Sequence, residues 1–206
     1  PPAFCAGADL KFIGGEVGAP FGDSLAAFLD RIGPVFNALE ASPLPTIAAI
    51  NGLALAGGLE LVLCCDLVVA AESAKLGDAH ANYGLLPGGG SSVRLPRKIG
   101  PTRAKYLLYT GEFLPAVDLV ECGLVNRVVP DAALELTVQT IAEKIAAKSP
   151  LATARVKQLV ADAVDQPLHS ALRQEVNAVI VHTQSADIRE GLAAFNEKRK
   201  PKFTGK

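Results

Sequence analysis

Methionine is absent from this chain of 206 residues. With no initiator, and with Ala3-Phe4-Cys5 reading as the end of a strand, the chain is expected to lack an N-terminal portion. Net charge is nearly absent too: the formal value is −1. That gives no reason to expect nucleic acid or an anionic membrane as partner. No apolar run approaches the ~18 residues a membrane span needs, and the opening PPAFCAGADL carries no basic leader, so a soluble protein is expected. The four cysteines, Cys5, Cys64, Cys65 and Cys122, have no CxxC spacing, and two of them adjoin inside an apolar segment. This pattern points to buried reduced thiols in a cytoplasmic protein rather than to a disulfide framework or a cysteine metal site. The run Gly88-Gly89-Gly90 lacks the Lys-Ser/Thr ending of a P-loop and the GxGxxG spacing of a dinucleotide site, so no nucleotide is indicated.

Half the residues are hydrophobic, enough for one good core. After the strand at Ala3–Cys5 and a turn at Ala6-Gly7-Ala8-Asp9, residues 10–13 are expected to begin a short helix and 14–22 to form a loop rich in glycine and proline. Leu25, Phe28, Leu29, Ile32, Val35, Phe36 and Leu39 then follow helical spacing, with a kink expected at Gly33-Pro34. Thr46–Ile50 reads as a strand, Asn51-Gly52 as a turn, and the segment from Gly57 to Cys65 as a buried helix. Further strands are expected at Asp66–Ala71, Lys75–Gly77 and Leu124–Val129, and helices at Ser91–Ile99, Pro101–Tyr109 and Pro115–Glu121. Short strands alternating with helices indicate the α/β class. From Asp131 onward the pattern is helical only, over 131–147, 150–164, 167–183 and 185–197, with breaks at Ser149-Pro150, Gln166-Pro167 and Ser185. A core over 1–148 and a helical region over 149–206, placed as an oligomerisation layer, is the expected organisation.

The chemistry concentrates between Thr46 and Asp66. Two glycines, Gly57 and Gly58, leave the first N–H groups of a helix bare, where an oxyanion can be held. Glu60 lies in that first turn among Leu59, Leu61, Val62 and Leu63. A first-turn glutamate is favoured by the helix dipole alone, and paired glycines also permit close packing. An acid surrounded by aliphatic neighbours, however, is rarely retained without a partner or a task.

Phe4-Cys5-Ala6-Gly7-Ala8-Asp9-Leu10 and Asn51-Gly52-Leu53-Ala54-Leu55-Ala56-Gly57-Gly58-Leu59-Glu60-Leu61, with Cys65-Asp66 beyond, together resemble the two oxyanion-hole segments of the crotonase (enoyl-CoA hydratase/isomerase) superfamily. Leu85-Leu86-Pro87-Gly88-Gly89-Gly90, Arg94-Leu95-Pro96-Arg97, Gly123-Leu124-Val125-Asn126 and Glu190–Phe195 extend the resemblance over essentially the whole chain. It implies an α/β spiral of strand-strand-helix turns followed by a C-terminal helical layer that builds homotrimers or dimers of trimers. It also implies an acyl-CoA thioester as substrate, with coenzyme A as part of that substrate, no tightly bound cofactor and no metal. The thioester oxygen would be held by the N–H groups of Ala6 and Gly57. Phe195 and Lys198 match positions that contact the acyl-CoA of a neighbouring subunit, although Lys198 equally belongs to the solvated run Lys198–Lys202, and Asp9, Leu10 and Lys11 are assigned with them to acyl-CoA binding. Enoyl-CoA hydration in fatty-acid-type β-oxidation is the leading activity. Isomerisation, thioester hydrolysis and a nearly inactive acyl-CoA-binding subunit are the alternatives.

Hydratases of that family use two glutamates. Glu60 matches the first, but His80 stands where the second is expected. Imidazole, with an ordinary pKa of ~6.5, can still exchange a proton near neutrality. His80 is therefore read as catalytic beside Glu60, against the alternative of an ordinary loop histidine. Asp78 either orients that imidazole, acts as an acid itself, or is a solvated loop residue.

Overall fold

A computed structural model describes residues 3–11 and 20–206. Phe12-Ile13 and residues 14–19 of the expected loop lie outside that range. The chain divides into two compact units, one of Pro1–Glu40 with Thr46–Val138, the other of Ala41–Pro45 with Gln139–Lys206.

In the first unit, β1 (Ala3–Cys5), β3 (Leu53–Leu55), β5 (Lys75–Gly77) and β6 (Leu114–Pro115) lie side by side in that order, and β2 (Ile47–Ile50), β4 (Leu67–Ala71) and β7 (Arg127–Val129) form a second sheet. All pairings are parallel except β5 with β6. From β1 to β5 consecutive strands thus go to alternate sheets, and helix α2 (Gly57–Leu63) returns the chain from β3 to β4; repeated, this is a spiral of strand-strand-helix turns. The strands read as continuous aliphatic runs because both faces are covered: Ile50, Ala54, Val69, Ala70 and Leu76 are completely buried. Asp66 ties the first turn of the spiral to the next, accepting from the Thr46 N–H (2.7 Å) and hydroxyl (2.9 Å).

Helix α1 (Phe21–Glu40) takes in Phe21 and Gly22, which were expected in the loop, and runs unbroken through Gly33-Pro34. Four short stretches differ from the sequence expectation. Leu53–Leu55, between the expected turn and helix and given no element there, is a strand, since β1 and β5 pair with it on its two sides. Helix α2 stops at Leu63, with Cys64 as its C-cap, so the paired cysteines follow the helix. Pro115–Glu121 is no α-helix: Leu114-Pro115 pairs with Lys75-Leu76 as an edge strand, where proline's missing N–H is tolerated, and Ala116–Leu119 is a 310 turn. The strand expected from Leu124 begins only at Arg127. At Leu53–Leu55, Leu114-Pro115 and Arg127–Val129, pairing across tens of residues overrides a local pattern.

Helices α3 (Ser91–Ile99) and α4 (Pro101–Thr110) complete the first unit, and α5 (Leu134–Ala146) follows β7. The second unit carries α6 (Pro150–Ala163), α7 (Leu168–His182) and α8 (Ala186–Asn196). Ser149 and Ser185 cap α6 and α8 by accepting from the N–H groups of Ala152 and Ile188, both at 3.2 Å, as their place before a proline and an acidic first turn suggests.

Candidate active site

The start of α2 is pressed against the segment that follows β1. A Cβ on Gly58 would stand 1.9 Å from the Cys5 carbonyl oxygen, so only hydrogen fits there. One residue earlier, a Cβ on Gly57 would lie 3.5 Å from Gly7 Cα and 3.6 Å from the Ala8 nitrogen. The structure therefore brings Ala6–Ala8 and Ala56–Gly57 together across 50 residues of sequence. Ala56, at the cap of α2, has a left-handed φ of 50°, and its N–H is anchored on the Gly77 carbonyl at 3.0 Å.

Glu60 enters the interior from the first turn of α2 and is 4% exposed. Its Oε1 accepts from the N–H of Gly89 at 2.7 Å and of Ser91 at 3.1 Å. Two backbone donors on one oxygen fix the plane of the carboxylate and leave Oε2 without a hydrogen bond among the described residues. Gly89 is required at this contact, because a Cβ there would meet Oε2 at 2.5 Å and the Phe36 ring at 2.9 Å. The donor loop is itself held: Arg94 Nη1 donates to the Gly89 carbonyl (2.8 Å), Nη2 to Asn37 (2.7 Å) and Nε to Glu40 (2.9 Å). A guanidinium fork from α3 thus clamps the glycine loop to α1, and the loop holds the acid.

Beyond β5 the chain turns sharply. Ala79 has φ +60°, and the His80 N–H donates to the Asp78 carbonyl at 2.8 Å, a tight turn of the rarer hand that costs a non-glycine residue of order 1–3 kcal/mol. The turn folds the two side chains together: His80 Nδ1 lies 3.0 Å from Asp78 Oδ2. Asp78 is only 1% exposed, which corrects its reading as a solvated loop residue, and the His80 side chain is 14% exposed, unlike a surface loop histidine. A carboxylate on Nδ1 raises the histidine's affinity for a proton; burial opposes this, and the negative charges of Asp78 and Glu60 add to it, so the pKa stands above the ordinary 6.5. By contrast, burial pushes the Cys64 thiol up to about 11, leaving it inert; its S–H donates to the Glu60 carbonyl.

A carboxylate with one free oxygen and an imidazole poised to carry a proton, next to two converging backbone segments, can move protons to and from a bound molecule. The enoyl-CoA hydratase/isomerase family profile matches residues 1–206. The chain belongs to this family. It is similar to crotonyl-CoA hydratase of Syntrophomonas wolfei (38% identical over 204 residues, 99% of this chain and 77% of the relative). It is also similar to the human mitochondrial enoyl-CoA hydratase domain-containing protein 2 (40% over 208 residues, 98% and 70%). Among solved structures, an enoyl-CoA hydratase from Bacillus anthracis superimposes with a TM-score of 0.93 at 42% identity, over 98% of this chain and 77% of that one.

Of the remaining residues expected in the site of this family member, Asp9, Leu10 and Lys11 lie just past β1, where Asp9 Oδ1 accepts from the Lys11 N–H at 2.9 Å and Leu10 is exposed. Phe195, 82% exposed near the end of α8, and Lys198, with a left-handed φ of 53°, belong to the second unit. Sequence reasoning gave no role to Gly89, Ser91 and Arg94. The glycine run and the arginine were visible as a pattern, but backbone donors leave no mark on residue identity.

Proposed function

We propose that the protein adds water across the α,β double bond of a 2-enoyl-CoA thioester. The observation that carries this reading is the arrangement of Glu60, gripped through one oxygen with the other free, and His80, whose basicity is raised by Asp78 and by Glu60 itself. Hydration needs a base for water and an acid for the α-carbon. Glu60 Oε2 takes a proton from water as its oxygen bonds to Cβ. The π electrons move onto the thioester oxygen, where the N–H groups of Ala6 and Gly57 stabilise the enolate. Loss of one such donor typically costs on the order of 10²–10³ in rate. The enolate then takes a proton at Cα from the His80 imidazolium, and a proton passed from Glu60 to His80 resets the pair. Asp9, Leu10, Lys11, Phe195 and Lys198 serve acyl-CoA binding in this reading.

Exposed apolar side chains on α6 and α7, among them Val156, Val160, Leu172, Val176 and Ile180, support a homotrimer or a dimer of trimers. Sedimentation as a monomer at micromolar concentration would remove that part. The activity is tested by following crotonyl-CoA hydration beside free-thiol release and double-bond migration. Loss of the enoyl absorbance without thiol release is expected; thiol release in its place makes the enzyme a hydrolase, and migration alone makes it an isomerase.

A further inference from the structure

We propose that Asp78 is a positioning residue for the reaction: its buried carboxylate accepts the Nδ1–H of His80 and so makes Nε2 the nitrogen that exchanges a proton with substrate. The proposal rests on the reading of His80 as the proton carrier.

The imidazole needs such a partner where a carboxylate does not. A carboxylate has two equivalent oxygens, whereas a neutral imidazole carries its proton on one of two distinct nitrogens. Oδ2 of Asp78 can only accept at 3.0 Å from Nδ1, so the ring is held as the Nδ1–H tautomer with a fixed plane. Proton loss to the substrate then comes from Nε2, leaving a neutral ring still bonded to Asp78.

The surroundings of Asp78 point the same way. The structural aspartate Asp187 is filled by donors: it binds Ser149 Oγ and the N–H groups of Thr204 and Gly205. Asp78 is just as buried as Asp187, yet its one side-chain partner among the described residues is His80, and Oδ1 has none. It closes no strand and caps no helix. A buried carboxylate is costly unless paired, and the left-handed Ala79 is a second cost accepted to bring this pair together.

The charged groups acting on the imidazole are Asp78 from its own turn and Glu60 from α2. The ionisable side chains of α4, which packs against the same turn, are engaged or turned outward. Arg103 donates to the Asp118 carbonyl, Tyr106 to Glu112, and Lys105 and Tyr109 are exposed. Removing the Asp78 charge therefore lowers the histidine's proton affinity and moves the alkaline limb of the pH–rate profile toward acid.

The test joins a spectroscopic and a kinetic reading on the whole protein. With three histidines in the sequence, His80, His169 and His182, ¹⁵N-histidine NMR assigns His80 by its loss in H80Q. The parent is expected to show His80 as the Nδ1–H tautomer with a midpoint above that of an ordinary histidine. D78N is expected to lower that midpoint and to move the alkaline limb of kcat on crotonyl-CoA toward acid by the same amount, with KM little changed. A parent spectrum showing the Nε2–H tautomer, or a D78N midpoint equal to the parent's, overturns the assignment whatever the activity. If the midpoint moves while the pH–rate profiles of D78N and H80Q both match the parent, the positioning role falls together with His80 as the acid. The parent spectrum alone decides the tautomer should D78N not fold.

Discussion

Two regions of this molecule bury carboxylates to the same degree and use them differently. Asp187, in the second unit, is 1% exposed, and its oxygens accept from the Ser149 hydroxyl at 2.6 Å and from the N–H groups of Thr204 (2.8 Å) and Gly205 (3.2 Å). It pins the C-terminal segment to the start of α6 and leaves nothing over. In the first unit, Glu60 and Asp78 are as deeply placed, but each engages one oxygen and leaves the other without a described partner. Burial thus does not separate a structural acid from a working one. On the proposed function, what separates them is unfilled accepting capacity: Glu60 keeps one oxygen open to take a proton, and Asp78 has His80 as its one described side-chain partner.

The difference implies opposite signatures on mutation. E60Q keeps shape and size but removes the base, and is expected to lower turnover by about 10²–10⁴ while the melting temperature stays near the parent's. Turnover within a few-fold of the parent would take Glu60 out of the mechanism. H80Q is next, with a loss of about 10² and disappearance of the alkaline limb, whereas H80E should recover hydration by restoring a carboxylate. Because the Asp78 carboxylate raises the histidine's pKa above 6.5, the acid form persists to higher pH than for a free histidine, and activity falls only as pH rises through that raised value.

Smaller effects follow from the groups that aim the acid. G89A places a methyl 2.5 Å from Glu60 Oε2, so turnover is expected to fall roughly 10- to 100-fold, and denaturant melts should show a stability loss of about 1–3 kcal/mol. A G89A enzyme with parental rate means that Glu60 tolerates displacement. R94K keeps the charge but not the three directed bonds to Gly89, Asn37 and Glu40, and roughly 10-fold in kcat is expected to be lost.

At the other end of the comparison stands D187N, which should leave turnover within about two-fold and lower the melting temperature by a few degrees. The Ser149 hydroxyl, with the N–H groups of Thr204 and Gly205, holds the Asp187 pKa below its usual 3.8. Its stabilisation is then present above pH 3.8 and is lost as pH falls through the lower folded value, so the gap between parent and variant should narrow in acid. Thermal melts across that range check it; a gap that widens in acid, or an E60Q-like loss of rate, breaks the contrast.

The sequence by itself determined the α/β alternation, the helical second half and the chemistry of the stretch around Glu60. Aliphatic runs, caps at Ser149 and Ser185, and an acid among leucines are local facts that carry their own physical meaning. It also determined that a histidine stands at position 80, and the family resemblance made that departure visible. The tertiary structure alone decided which groups serve that acid and that histidine. Leu53–Leu55 became a strand because two neighbours pair with it. Gly89 and Ser91 became donors to Glu60 through backbone N–H groups that every residue but proline possesses. Asp78 changed from one loop acid among several into a buried partner of His80 because the left-handed turn at Ala79 folds the pair inward. Pairing, donor placement and desolvation are relations between residues distant in the chain or folded back on themselves, and a linear pattern records residue types without recording those relations.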